Sequence, residues 1–108
     1  MFGLMSAKDA VFNIMKKDMV FVDLRSREEF EKGHIGRAFC LTLEQIEAKD
    51  YYLSKEYRYI LYCNHGGVSM QAAALIADGE VPVFSLVGGF SEYEIFMRSL
   101  VDRKQGKL

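Results

Sequence analysis

Hydrophobic residues in this chain are grouped in short continuous runs and do not alternate with polar ones. Four of these runs predict buried β-strands: Met19–Asp23, Ala38–Leu41, Arg58–Tyr62 and Val81–Leu86. Continuous apolar runs are typical of parallel sheets, because helices cover both faces of such a sheet. The apolar segment Phe2–Met5 is a candidate for a fifth strand at the edge of the sheet.

Polar residues with the spacing of helix N-caps stand between these runs. Three pairs are separated by three positions: Ser6 and Asp9, Ser26 and Glu29, and Thr42 and Gln45. In the last two pairs the residue types at this spacing are those of a capping box, in which each side chain accepts a hydrogen bond from the other residue's backbone N–H. A further helix is expected over Ser69–Asp78. Strands that alternate with helices predict a three-layer α/β/α fold with a mostly parallel sheet of four to five strands.

Length and charge narrow the classes of function. The 108 residues fit a single domain spanning positions 1–108. Fourteen basic residues balance fifteen acidic ones, so neither nucleic acid nor a membrane surface is expected as a partner. The uncharged stretch Tyr59–Ala77 is interrupted by polar residues, which argues against a membrane span.

Cysteine usage and the first residues bear on the compartment. The chain has two cysteines, Cys40 and Cys63, too few for a disulfide framework. The apolar segment Met1–Met5 is too short for the core of a signal peptide. A reducing compartment, the cytoplasm, is therefore expected.

Several residues of chemical interest come directly after predicted strands. Asp23, Cys63 and the pair Gly88-Gly89 each stand at or just beyond the carboxyl end of a strand. In parallel α/β sheets the carboxyl ends of the strands meet at one edge, where the working site lies. We therefore expect these residues to gather there. Cys63 is then a candidate reactive cysteine, although a cysteine at the end of a strand is also common as an inert residue of the core.

The segment after Cys63 favours an ionised sulfur. It consists of Asn64, His65, Gly66, Gly67, Val68 and Ser69, and it leads into the predicted helix. Glycines allow successive backbone N–H groups to turn toward an anion, and the following helix adds the positive end of its dipole. These groups stabilise a thiolate without a general base. His65 is either a polar loop residue or a direct participant, whereas Cys40 lacks such surroundings and is interpreted as a core residue.

The cysteines and histidines could alternatively be the ligands of a metal ion. His34, Cys40, Cys63 and His65 provide two ligands of each type. Their spacings match no common zinc module. We therefore expect neither a metal nor an organic cofactor.

Three motifs, in order, resemble those of a single-domain rhodanese, a sulfurtransferase module, over nearly the whole chain. The first motif is Val22–Arg25, followed by Glu29-Phe30 and Gly33–Ile35; the second is Tyr62–Ser69; the third is Gly88–Phe90 with Tyr93 after it. The second motif stands where the family carries its catalytic cysteine loop. The resemblance therefore implies a rhodanese-like fold and a catalytic role for Cys63.

The resemblance also implies a mechanism and partners. Cys63 attacks the outer sulfur of a donor, thiosulfate or a persulfide, and becomes a persulfide itself. A nucleophilic acceptor, either a small molecule or a sulfur-acceptor protein, then removes that sulfur. Residues 64–69 bind the substrate through their backbone, and Asp23 and Arg25 act as structural supports.

One departure from the family pattern bears on the donor and on rival functions. Many members carry arginine or lysine in the loop, whereas position 68 is valine here, so weak use of dianionic thiosulfate is expected. Cysteine phosphatases and related arsenate reductases need an arginine six positions after the cysteine, where this chain has Ser69. A non-catalytic binding module is disfavoured because the cysteine is present. A persulfide carrier that delivers sulfur to a partner protein remains an alternative.

Overall fold

The computed structural model describes residues 2–77 and 79–104 of the chain. Within them strands and helices alternate without exception. The strands are β1 (Gly3–Met5), β2 (Met19–Asp23), β3 (Phe39–Cys40), β4 (Arg58–Tyr62) and β5 (Val83–Leu86). The helices are α1 (Ala7–Asn13), α2 (Arg27–Lys32), α3 (Leu43–Glu47), α4 (Gly67–Ile76) and α5 (Gly89–Lys104).

The strands form one five-stranded sheet in the order β1-β5-β4-β2-β3. Every neighbouring pair in it is parallel. The predicted parallel sheet is confirmed, and the candidate edge strand near the N-terminus is present as β1. Because β4 lies at the centre of the sheet, the residue that follows it, Cys63, leaves the strands in the middle of the carboxyl edge.

Apolar side chains cover both faces of the sheet, as the continuous runs predict. On one face, residues of α3 and α4 pack against the strands, with Ile46, Ala72 and Ile76 in the core. On the other face α1 contributes Ala10, and Phe90 and Tyr93 of α5 pack against the same cluster. The molecule is therefore the expected three-layer α/β/α arrangement.

The predicted N-caps all form. The Ser6 side chain accepts the N–H of Asp9 at 3.1 Å. At Ser26 and Thr42 both halves of the capping box are present. These bonds satisfy backbone donors that the first turn of a helix leaves without partners, so they fix where α1, α2 and α3 begin.

The C-terminal helix is the main element that the hydrophobic pattern did not predict. The basic residues Arg103 and Lys104 belong to its last turn.

Among the described residues, no helix has both the length and the apolar character needed to cross a bilayer.

Candidate active site

The chain turns sharply after Cys63, which is 6% exposed. Gly66 has a φ of 107°, a conformation that glycine adopts readily and other residues rarely do. This turn lets α4 begin at Gly67, two positions before the predicted start at Ser69. The helix ends at Ile76, and its predicted last residue, Asp78, lies outside the described residues.

The Cys63 sulfur accepts hydrogen bonds from the backbone at the start of α4. The N–H of Gly66 lies 3.0 Å from Sγ, and the N–H of Ser69 lies 3.4 Å from it. The Ser69 hydroxyl is 3.7 Å from the sulfur. Gly66, the N-cap residue, has no side chain to accept the N–H of Ser69, so the sulfur of Cys63 takes the place of an N-cap oxygen.

These contacts determine the ionisation of Cys63. Burial raises the pKa of the thiol, whereas hydrogen bonds from the Ser69 backbone, the Ser69 hydroxyl and the backbones of Gly66 and His65 lower it. The balance places the pKa of Cys63 below that of an ordinary thiol. Hydrogen bonds to the charged form and the positive end of α4 both favour the thiolate, the form of cysteine that acts as a nucleophile.

The glycine pair of the third motif lies close to the backbone of the Cys63 loop. Gly88 and Gly89 have φ values of 75° and 64°. Gly89 approaches the loop so closely that an added Cβ would lie 2.5 Å from the carbonyl oxygen of Cys63. The N–H groups of Phe90 and Ser91, in the first turn of α5, donate to the carbonyls of Cys63 and Asn64 at 2.8 and 3.1 Å. The two loop carbonyls are therefore engaged by α5.

A cavity of about 360 Å³ lies in front of the sulfur. Its lining includes Arg25, Glu29, His65 and Val68 together with Cys63. His65 and Val68 are exposed, and His65 contributes its backbone N–H to the sulfur. The loop residues predicted to bind substrate therefore divide into buried positions behind the sulfur and exposed positions around the cavity.

Glu29 adds a negative charge to the rim of this cavity. Its Oε2 accepts the side-chain amide of Asn64 at 3.0 Å. That bond, followed by the bond from the Ser26 backbone, lowers the pKa of Glu29, so the carboxylate is ionised at neutral pH. The sequence indicated Glu29 as part of a capping box and of the first family motif, and neither pattern shows that Asn64 lies within reach of its carboxylate.

Asp23 and Arg25 form a buried ion pair beside the site. The Arg25 Nη2 lies 2.9 Å from the Asp23 Oδ2, and the side chains of the two residues are 5% and 0% exposed. The Tyr62 hydroxyl donates to the same carboxylate at 2.7 Å. The Arg25 guanidinium also stacks over the Phe90 ring, 3.8 Å from its centroid, and donates to the Gly33 carbonyl at 2.6 Å. The positive charge of Arg25 is therefore balanced by the buried carboxylate of Asp23.

The other candidate ligands of a metal lie apart from this cavity. Cys40 is half-buried at the end of β3, and burial first of all raises the pKa of its thiol. The His34 ring stacks on Phe30 at 4.0 Å, and its Nδ1 lies 3.0 Å from the carbonyl of the same residue. Within residues 2–77 and 79–104, no three His, Cys, Asp or Glu side chains are grouped closely enough to hold a metal ion.

Ser85 is a residue of the site that the sequence analysis did not single out. Its hydroxyl lies 2.8 Å from the Ser69 Oγ, and both residues are fully buried. The available signal was a hydroxyl within the otherwise apolar run Val81–Leu86.

Comparison with known proteins identifies the family of the chain. The sequence profile of the rhodanese-like domain matches residues 6–95. The chain is 32% identical over 83 residues to a thiosulfate sulfurtransferase GlpE of Coxiella burnetii, an alignment that covers 75% of this chain and 77% of that protein. It is also 28% identical to a tRNA sulfurtransferase of Thermoplasma acidophilum over 85% of this chain and 18% of that protein.

The fold has close counterparts among solved structures. A rhodanese-related protein from Thermoplasma volcanium superposes with a TM-score of 0.80 at 21% identity, covering 88% of this chain and 93% of that one. The family match covers all three motifs, including the cysteine loop at the start of α4. The chain therefore belongs to the rhodanese-like domain family.

Proposed function

We propose that the protein is a sulfurtransferase in which Cys63 carries the transferred sulfur. The observation that supports this most directly is the sulfur of Cys63, held by the N–H groups of Gly66 and Ser69 at the start of α4. These donors favour a negative sulfur without a basic side chain. They suit a nucleophile that is anionic both as a thiolate and as a persulfide. Both cysteines are free, which fits a reducing cytoplasm.

The reaction proceeds by two displacements. The Cys63 thiolate attacks the outer sulfur of a donor such as thiosulfate; an S–S bond forms, the donor's own S–S bond breaks, and its electron pair leaves on sulfite. A nucleophile such as cyanide then attacks the outer sulfur of the persulfide and forms thiocyanate. The electron pair of the broken bond returns to Cys63 as a thiolate. Neither step needs a proton or an external redox agent.

The charges around the cavity favour a donor less negative than thiosulfate. Arg25 is the cation of the lining, and it is paired with buried Asp23. Glu29 contributes a carboxylate at the rim. A dianion would therefore depend on backbone N–H groups and would meet a negative charge at the entrance. We infer that a persulfide of a small thiol or of a protein is a better donor.

Mass spectrometry of the intact protein tests this function. After incubation with a persulfide of a small thiol, the expected product has the mass of one additional sulfur atom, and cyanide should remove that atom. Protein alkylated at Cys63 beforehand is the control and should gain nothing. Absence of the added sulfur after incubation with thiosulfate, a small-molecule persulfide and a protein persulfide would contradict the proposal.

Substitution of Val68 by arginine should improve the use of thiosulfate. Val68 is 40% exposed in the first turn of α4 and lines the cavity, so a longer side chain has room at this position. A charge-assisted hydrogen bond to the donor should lower the KM for thiosulfate about ten- to a hundredfold. Steady-state kinetics of thiocyanate formation measure this change.

The control for that substitution is Met70→Arg. Met70 is 46% exposed on the same helix and does not line the cavity around Cys63. This variant should leave the KM for thiosulfate near that of the parent protein. An equal decrease in both variants would show that a general positive field, and not a contact at position 68, limits thiosulfate use.

A persulfide carrier is the second candidate. The tRNA sulfurtransferase that the chain resembles matches it over only 18% of its own length, so in that protein the matching part is one portion of a larger molecule. A carrier would form the same Cys63 persulfide and release the sulfur only to a partner protein. Rapid release to cyanide without a partner favours the enzyme, whereas a persistent persulfide favours the carrier.

A cysteine phosphatase is the third candidate, and the geometry gives it little support. Ser69 stands where those enzymes have an arginine, and it is fully buried behind the sulfur. An arginine is needed to bind the oxygens of a transferring phosphoryl group. We therefore expect negligible hydrolysis of aryl phosphates.

A further inference from the structure

Two buried hydroxyl groups lie behind the Cys63 sulfur. The Ser69 hydroxyl is 3.7 Å from Sγ on the side away from solvent, and the Ser85 hydroxyl is 2.8 Å from the Ser69 oxygen. Ser85 is in β5, where its neighbours in the sheet are Leu4 and Leu61. A hydroxyl in such apolar surroundings needs a hydrogen-bond partner, because an unsatisfied one costs about 1–3 kcal/mol. Ser69 is the partner that the structure provides.

The Ser69 hydroxyl has one hydrogen and three neighbours that compete for it. Besides the sulfur and Ser85, the Gly66 carbonyl oxygen lies 3.1 Å from the Ser69 oxygen. That carbonyl also accepts the backbone N–H of Met70 at 3.2 Å, so it keeps a hydrogen bond when the hydroxyl turns away. A serine hydroxyl can donate once and accept through two lone pairs. The hydrogen of Ser69 is therefore free to move to the sulfur only when Ser85 does not take it.

We propose that Ser85 is a positioning residue for Cys63: its hydroxyl donates to the Ser69 oxygen, so that the single hydroxyl hydrogen of Ser69 is directed to the ionised sulfur. When Cys63 is protonated, Ser69 donates to the Gly66 carbonyl. When Cys63 ionises, the charge draws the hydrogen across, because a hydrogen bond to a charged acceptor is about twice as strong as a neutral one. Ser85 remains a donor in both states.

This inference deepens the proposed sulfur transfer and rests on it for its biological meaning, since the stabilised sulfur is the one that would carry the persulfide. It concerns the ionisation of Cys63, which can be measured without any transfer of sulfur. The charged and titratable groups on the open side of the sulfur are Arg25, Glu29 and His65. They line the cavity, whereas Ser69 and Ser85 do not, and they are unchanged in the variants below.

The test is the rate of alkylation of Cys63 as a function of pH, followed at the peptide level so that Cys40 is counted separately. In the parent protein Cys63 should remain reactive below the pKa of an ordinary thiol and lose reactivity only as the pH falls through its lowered pKa. In Ser85→Ala the Ser69 hydroxyl can still donate to the sulfur, but it no longer accepts the Ser85 hydrogen bond that polarises it and makes it a stronger donor. The midpoint should therefore rise by about 0.1–0.6 pH unit. Ser85→Thr keeps the hydroxyl and should restore the parent midpoint.

Two further variants distinguish this relay from a structural effect. In a Ser69→Ala background, Ser85→Ala should produce no additional rise, because residue 69 then has no hydroxyl that could donate to the sulfur. Ser99→Ala removes a hydroxyl that donates to the Phe96 carbonyl at 2.7 Å and should leave the midpoint unchanged. Equal effects of Ser85→Ala in the parent and in Ser69→Ala would overturn the proposal, as would an unchanged midpoint in a folded Ser85→Ala.

If Ser85→Ala does not fold, Ser85→Cys serves in its place. Its weaker donor should give a rise of the same sign and smaller size, and no rise would again contradict the relay. The result is independent of the sulfur-transfer experiment. A protein that shows these midpoints and never gains sulfur would refute the proposed function alone.

Discussion

Replacement of Cys63 by serine should abolish sulfur transfer from thiosulfate or a persulfide to cyanide, with a loss of at least about a thousandfold in kcat/KM. A serine hydroxyl is not ionised at neutral pH. The groups that contact the Cys63 sulfur are backbone N–H groups and a hydroxyl, which stabilise an anion and do not remove a proton. Colorimetric detection of thiocyanate measures the loss.

Cys40→Ser is the matched control. Cys40 is half-buried at the end of β3 and does not line the cavity in front of Cys63. This variant should transfer sulfur at the rate of the parent protein. Comparable activity in Cys63→Ser and the parent, or a selective loss in Cys40→Ser, would show that the sulfur is carried elsewhere.

Removal of the buried carboxylate by Asp23→Ala should destabilise the protein by about 3–5 kcal/mol. The substitution leaves the Arg25 guanidinium buried without its counter-ion and removes the acceptor of the Tyr62 hydroxyl. The Arg25 backbone N–H, which donates to Asp23 Oδ1 at 2.8 Å, also loses its partner. Urea unfolding followed by circular dichroism measures the change in the free energy of unfolding.

An exposed ion pair of the same chemistry provides the control. Arg58 Nη2 lies 2.8 Å from Asp18 Oδ2, with side chains 42% and 54% exposed. Because water solvates both groups, Asp18→Ala should lower the free energy of unfolding by no more than about 1 kcal/mol. Similar losses in the two variants would mean that burial does not determine the value of the Asp23 pair.

Local signals in the sequence predicted much of the fold. The boxes at Ser26 and Thr42 need only three residues of spacing, so they could be found without knowledge of tertiary structure. The strands β2 and β4 are nearly fully buried, and this burial requires the continuous apolar runs that the sequence shows. Because the carboxyl ends of parallel strands meet at one edge of a sheet, the prediction of parallel strands also placed Cys63, which follows β4, at that edge.

Other elements depend on contacts that a linear pattern does not contain. The helix α5 was not predicted, because exposed apolar residues such as Ile95 and Val101 obscure the periodicity of its packed face. The start of α4 at Gly67 was missed because glycine has a poor helix propensity. The hydrogen bond between Ser69 and Ser85 joins a helix to a neighbouring strand, so no local spacing reveals it.

The approach of Gly89 to the carbonyl of Cys63 limits how this chemistry could be transplanted. A designer who grafted residues 63–69 onto the first turn of a foreign helix would copy the N–H donors but not the α5 groups that hold the carbonyls of Cys63 and Asn64. A released peptide unit can rotate, and a carbonyl oxygen turned toward the sulfur would repel the thiolate. The portable unit is therefore discontinuous: the cysteine segment together with the turn at Gly88-Gly89 that clamps it.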